Sequence, residues 1–260
     1  MIPLLEFNNI TVTRDRKKIL DSISIKIYPG EHIAILGPNG AGKSSFIKTI
    51  TREYYPLMQA KNSVFKIWGR DIWNIFDLRT TLGIVSNDLQ YSFERDMSGR
   101  EMILSGFFSS IGLYRQLITP EMRKKAKEIM EFLEVSSLKD RSLTQMSSGE
   151  ARRFLIGRAL VHDPKALILD EPVNSLDLHA LHKFRQILGK LSRSGIGVVL
   201  VTHNLSDIIP EISRVILMKE GKFYKDGKKA ELLTDQNISK LFNIRLKVKK
   251  IKGYYYAFAG

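Results

Sequence analysis

An α/β fold, with a mixed sheet flanked by helices, follows from three features of this 260-residue chain. Short apolar runs without polar alternation, at Ile33-Ala34-Ile35-Leu36, Ala166-Leu167-Ile168-Leu169 and Gly197-Val198-Val199-Leu200-Val201, read as parallel-type strands buried on both faces. The last two runs end in polar residues, as the strands of open α/β sheets do where they carry chemistry at their C-terminal ends. Elsewhere the apolar spacing changes to three and four, the period of helices with one buried face.

The elements follow in order. Apolar alternation at Ile10 and Val12, and again at Ile23, Ile25 and Ile27, predicts an N-terminal antiparallel β subdomain that breaks at Pro29-Gly30. The buried run at 33–36 leads into Gly37-Pro38-Asn39-Gly40-Ala41-Gly42-Lys43-Ser44-Ser45, after which Phe46, Ile47 and Ile50 mark one face of a helix. From about residue 89 to 146 the periodicity is helical: Met102, Ile103 and Phe107, then Met122, Ala126, Ile129, Met130 and Leu133. This predicts an inserted helical subdomain. Near the C-terminus Ile244, Leu246 and Val248 alternate with Arg245, Lys247 and Lys249 before Tyr254-Tyr255-Tyr256-Ala257-Phe258. That reads as a β-hairpin packed through one face, although a basic strand beside an aromatic one also suits a nucleic-acid platform. The expected organisation is one domain: residues 1–88 and 147–260 as core with the β subdomain, about 89–146 as the helical insertion, and about 242–260 as the hairpin.

Composition narrows the chemistry. The absence of cysteine excludes disulfide scaffolds, zinc ribbons and cysteine nucleophiles. No apolar run reaches the ~18 residues of a membrane span. The first residues lack the basic stretch and small-residue cleavage site of a signal peptide, which predicts a cytosolic protein. Lys plus Arg number 41 against 27 Asp plus Glu, and the resulting +14 is compatible with nucleic acid, an anionic membrane surface or polyphosphate ligands.

Residues 37–44 choose among these, because they fit G-x-x-x-x-G-K-[ST] between a buried strand and a helix. Such glycines let backbone N–H groups turn inward and cradle phosphates at a helix N-terminus. Lys43 is expected to reach the β and γ phosphates, Ser44 to ligate magnesium and Ser45 to bond the α phosphate. The fold class is therefore a P-loop NTPase core. A second element, Leu167-Ile168-Leu169-Asp170-Glu171, is an apolar strand ending in two acids. Asp170 is expected near the magnesium, through a water, and Glu171 where it accepts a proton from attacking water.

With Met146-Ser147-Ser148-Gly149-Glu150 and the following ARRFLIGRALVHDPKALILDEP, the sequence resembles the nucleotide-binding subunits of ATP-binding cassette (ABC) proteins from about residue 4 to the C-terminus. The resemblance implies Mg-ATP hydrolysis between two cassettes, the same or paralogous, dimerised head to tail. Ser147 and Gly149 would donate to the γ phosphate of the partner's ATP. Asn174-Ser175-Leu176-Asp177 resembles the loop crossing the dimer interface, and His203 the switch histidine that holds γ phosphate and water beside Glu171. Three departures stand out. Arg14 occupies the position of the adenine-stacking aromatic, Asn87 that of a glutamine contacting magnesium (Gln90 in another register), and Met146, Ser148 and Glu150 replace Leu, Gly and Gln.

Residues 103–114 resemble molybdate-type cassettes, and the closing LFNIRLKVKKIKGYYYAFAG resembles the ends of metal-chelate uptake cassettes. The implied protein energises import of a metal, oxyanion or chelate through separate membrane subunits docked near Asn87, from the cytoplasmic face of the membrane. A soluble cassette acting on nucleic acid or the ribosome ranks second, and a regulator with vestigial hydrolysis third.

Overall fold

Period-two alternation in the central strands divides the interior into two cores. The computed structural model describes residues 1–57, 63–86, 97–113 and 115–260, without the side chain of Ile75. A six-stranded sheet contains β3 (His32–Leu36), β5 (Leu82–Val85), β6 (Ala166–Asp170), β7 (Gly197–Thr202), β8 (Arg214–Lys219) and β9 (Lys222–Lys228) in the order β5-β6-β7-β3-β8-β9. All neighbours pair in parallel except β8 and the edge strand β9. Ala34, Leu36, Leu167, Leu169, Val198, Leu200, Val215 and Leu217 face one core. Ile33, Ile35, Ala166, Ile168, Val199, Val201, Ile216 and Met218 face the other. Successive side chains point to opposite faces, so a strand covered on both sides must be apolar at every position.

On the second face lies the antiparallel sheet β2-β1-β4, formed by β1 (Leu5–Arg14), β2 (Lys17–Ile27) and β4 (Val64–Ile67). Phe7 anchors it, edge-on to Phe65 and to Phe46 of helix α1 (Lys43–Ile50). The first face carries most of the remaining helices. After α2 (Ile75–Thr81), which Asn74 caps, come α3 (Gly99–Ser105), α4 (Pro120–Phe132), α5 (Ser148–Leu160) and α6 (Leu178–Arg193). Ser98 and Glu101 form a reciprocal capping box on α3, and Thr119 caps α4 with Pro120 in its first turn. Met102, Ile103, Ala126, Met130 and Leu133 from this segment are buried with Phe154 and Phe184. Glu134 pairs with Lys183, at 3.3 Å, and with Lys190, both on α6.

Within the segment of helical periodicity, α3 tightens into a 3-10 turn over Gly106–Phe108. Gly106 lies so close to α5 that a Cβ would stand 2.4 Å from the Arg158 carbonyl oxygen, and the turn brings the two backbones together. The C-terminal strands β10 (Leu246–Ile251) and β11 (Tyr254–Ala259) pair antiparallel, following the short helices α7 (Lys229–Leu232) and α8 (Asp235–Phe242). Tyr255 is buried, Leu246 and Val248 pack on the first core, and Lys247 and Lys249 face outward.

Candidate functional site

Strand order brings three chain-distant loops to one edge of the sheet. β6, β7 and β3 are adjacent and parallel, with Asp170 opposite Val201 and Leu36 opposite Thr202. The loop at 37–45, the acids at 170–171 and His203 therefore all emerge at the C-terminal ends of neighbouring strands, where ligands bind in open α/β sheets.

The loop itself is shaped by backbone. Gly42 caps α1 in the left-handed region at φ 100°, with no side-chain oxygen on the first-turn amides and no acidic residue in that turn. A helix start of this kind leaves N–H groups and the positive dipole end available to an anion. Lys43 is 5% exposed, and its ammonium donates to the carbonyls of Gly37 at 2.9 Å and Pro38 at 3.0 Å. Ser44 is exposed and Ser45 half-buried.

Glu171 joins the cluster from β6. Its N–H donates to the Val201 carbonyl at 2.8 Å, and its φ of 46° then turns the chain out of the sheet, a left-handed conformation costing roughly 1–3 kcal/mol in a residue with a Cβ. One carboxylate oxygen lies 3.3 Å from Lys43 Nζ and 3.1 Å from His203 Nδ1, while the other accepts from Asn174 Nδ2 at 2.7 Å. Partial burial by itself raises this carboxyl, but the hydrogen bonds from His203 and Asn174 and the charge of Lys43 together hold it below the usual carboxylate range. Glu171 is thus an ionised acceptor at neutral pH, poised between a cation and an imidazole.

Of these groups Lys43, Ser44, Ser45 and Glu171 line a cleft of about 650 Å³, together with Lys17, Lys18, Ile19, Asn39, Gly40, Gly42, Glu220 and Gly221; His203 meets it only through Glu171. The volume suits a nucleotide-sized ligand. Lys17, Lys18 and Ile19, from the start of β2, were not singled out in the sequence, since nothing local marks a strand start as the wall of a cleft 20 residues further on. Asn174 was read only as part of an interface loop, and its bond to Glu171 depends on the turn between them.

Arg14, the residue expected at the base of the nucleotide, does not line the cleft. Its guanidinium sits 5.5 Å from the Tyr54 ring centroid, donates to the Tyr54 hydroxyl and pairs with Asp15 at 3.7 Å. An aromatic face with a hydroxyl at its edge satisfies the guanidinium better than open solvent does. Asn87, with Gln90, lies outside the described residues.

Ser147, Gly149 and Asp177 form a second cluster and do not line the cleft. Ser147 caps α5, its hydroxyl accepting from Glu150 N–H at 3.3 Å while Glu150 accepts from Ser147 N–H at 2.8 Å. That reciprocal box explains glutamate at position 150: its carboxylate, lowered first by the Ser147 N–H, stays charged at a helix start. Asp177 caps α6 by accepting from Ala180 N–H at 2.8 Å, and Ser148 Oγ donates to the Ser175 carbonyl at 3.0 Å. Helix α5 and the Asp177 loop are thereby packed together. A Cβ on Gly149 would lie 2.5 Å from Ala180 Cβ, so Gly149→Ala is expected to destabilise the fold by about 1–3 kcal/mol, read from the denaturant midpoint.

The family model for ABC transporters matches residues 20–174, more than half of the chain. The chain belongs to the ABC transporter family. It is an ATP-binding cassette, and as a member of that family an ATP hydrolase. The cassette is 33% identical over 247 residues to the ABC transporter ATP-binding protein YlmA of Bacillus subtilis (strain 168), covering 94% of this chain and 93% of that protein. It is 30% identical to the hemin import ATP-binding protein HmuV of Aliivibrio fischeri (strain ATCC 700601 / ES114), covering 90% and 88%. Among solved structures it is similar, at TM-score 0.72 and 26% identity, to a dimeric post-hydrolysis state of the ATP-binding cassette MJ0796 bound to ADP and phosphate, covering 86% of this chain and 98% of that one. These relatives are transporter cassettes, which gives the nucleic-acid reading no support. No helix among the described residues is long and apolar enough to cross a membrane.

Proposed function

We propose that this cassette closes head to tail on a second cassette around two Mg-ATP molecules, and that the cycle of closure and hydrolysis energises import of a metal, oxyanion or chelate through separate membrane subunits on the cytoplasmic face. The observation that carries the reading is the Lys43–Glu171–His203 cluster at the phosphate-loop cleft, with exposed Ser147 and buried Gly149 on another helix start away from it. A site divided in this way is completed by a partner's surface. The dimeric form of the MJ0796 cassette and the import function named for HmuV support it.

Each side chain has a defined task in this proposal. Loop amides at 37–45 and Lys43 bind and orient the β and γ phosphates, Lys43 exchanging its contact with Glu171 for phosphate oxygens. Glu171 accepts the proton of the attacking water, and His203 holds that water and the γ phosphate in register. The partner's copy of the Ser147 hydroxyl and Gly149 N–H caps the γ phosphate from a helix start. The Ser44 hydroxyl and the Asp170 carboxylate would hold magnesium. The donor set fits, because both are hard oxygen ligands. No group of three or more His, Cys, Asp or Glu able to hold a metal occurs among the described residues, so the ion would depend on phosphate oxygens as well. Bound there, magnesium supplies neutralisation of the charge on the transferring phosphoryl group.

The membrane subunit is placed against the helical subdomain beside the segment around Asn87. Among the described residues, a cavity of about 190 Å³ lies between α2, the Gly106–Phe108 turn and α5, lined by Glu53, Leu78, Arg79, Ser109, Arg158 and His162, among others.

The test uses tagged Glu171→Gln protein. With saturating Mg-ATP it is expected to elute at twice the 29.7 kDa mass of one chain and, from detergent-solubilised native cells, to recover a polytopic membrane protein. A species that remains monomeric in ATP would overturn the dimer, and recovery of ribosomal or nucleic-acid-bound material without membrane protein would overturn the transport role.

A further inference from the structure

Asp207 is a buried carboxylate for which the proposed chemistry has no task. It ends the 3-10 turn Leu205–Asp207 just after His203 and is 4% exposed. Its Oδ2 accepts from Thr202 Oγ1 at 2.5 Å, and Thr202 Oγ1 itself accepts from Asn204 N–H at 3.0 Å. The Asp207 N–H donates to the Asn204 carbonyl at 3.3 Å. Both chain neighbours of His203 are thereby held by this one side chain and its backbone. The Thr202 carbonyl also accepts from Gly37 N–H at 3.3 Å, which ties the same residue to the phosphate loop.

Behind Asp207 stands Arg185 of α6. It donates to the Ser206 carbonyl, and its guanidinium lies 4.6 Å from the ring centroid of Tyr254 on β11. Its Nε is buried without a hydrogen-bond partner, so the guanidinium is held by the ring, the carbonyl and the field of Asp207. Contacts therefore run from Tyr254 of the C-terminal hairpin through Arg185 to the Ser206 carbonyl of the turn whose Asp207 side chain holds Thr202, next to the imidazole 3.1 Å from Glu171.

We infer that Asp207 is a positioning residue for ATP hydrolysis, its carboxylate fixing through Thr202 the turn that aims His203 at Glu171, with Arg185 bracing the same turn through the Ser206 carbonyl. The inference rests on His203 and Glu171 acting as proposed above. Asp207 touches neither nucleotide nor water in this scheme.

Electrostatics makes the role separable from simple packing. The titratable groups whose field reaches Asp207 are Arg185 from α6, His203 just before its own turn and Glu171 from the end of β6. Burial pushes the Asp207 carboxyl up to about 6, against smaller lowering by Thr202, Arg185 and His203. An acid whose folded value is raised disfavours folding when ionised. That penalty is absent below the ordinary carboxylate range, grows as pH rises toward about 6, and is complete above it.

Asp207→Asn is neutral and nearly isosteric. It is expected to melt at a higher temperature than wild type at about pH 8, and to lose that advantage in acid. Its kcat is nonetheless expected to fall roughly 10- to 100-fold with KM for ATP unchanged. A residue that merely stabilises the fold would not give higher stability with lower kcat. Thr202→Val is expected to reproduce the kcat loss, and the double variant to be no worse than either single one, because the two side chains act as a unit. Wild-type kcat with His203→Ala abolishing turnover would overturn the role of Asp207 alone, as would additive losses in the double variant. Full turnover by His203→Ala would instead overturn the His203–Glu171 reading on which the role depends.

Discussion

Glu171→Gln is expected to lower ATP turnover by about 100- to 10,000-fold while leaving ATP affinity within a few-fold of wild type. The carboxylate is held below its usual range by His203, Asn174 and Lys43 against the effect of burial, so it is ionised across the neutral range and ready to accept a proton. The amide keeps the shape and an oxygen for Asn174, but it has no basicity to offer the attacking water. Steady-state phosphate release and equilibrium ATP binding, measured on the same preparation, separate the two effects. Equal loss of binding and turnover would show that Glu171 acts by shaping the cleft. The pH dependence has a definite sign. Because the folded carboxyl is lowered, the stability Glu171 contributes is complete above the ordinary carboxylate range and is lost as pH falls through its folded value.

Lys43→Ala is expected to weaken ATP binding by at least about 100-fold, equivalent to roughly 2.7 kcal/mol at about 1.4 kcal/mol per tenfold. Its ammonium is 5% exposed, fixed by two loop carbonyls and aimed across the cleft at Glu171. A charge-assisted contact in so enclosed a place is worth more than a surface ion pair. Removing it also leaves Glu171 without its buried cation, next to the phosphates the cleft must then accept. Calorimetric titration with ATP checks the loss. Undiminished affinity would show that the phosphates do not sit at the 37–45 loop. The two variants together distinguish binding from chemistry, since Lys43→Ala is expected to fail at the first and Glu171→Gln only at the second.

Strand and loop positions were legible along the chain wherever short-range rules decide them. The apolar run at 33–36 followed by glycines and Lys43 specifies a strand, an anion-binding turn and a helix within about a dozen residues. The run ending at Asp170 and Glu171 does the same for the acidic loop, and alternation at Leu246 and Val248 marks the face of β10 that packs. His203 was read through its motif, which is also local. Backbone dihedrals and side-chain period are properties of neighbouring residues, so they leave a signature in the sequence itself.

Partner choice is of another kind. That Arg14 takes Tyr54 rather than the cleft, 40 residues along, follows from the path of two strands and a helix. That Glu171 meets Lys43 and His203 follows from the order β6-β7-β3, which places three separated loops side by side. Asp207 sat unremarked five residues beyond Thr202, and only the tertiary turn joins the two side chains and sets Arg185 and Tyr254 behind them. Which residues are candidates for the chemistry could thus be read from local pattern. Which residues hold them in place was decided by packing, because a side-chain contact is selected by all the surfaces that meet around it and not by the few residues on either side in the chain.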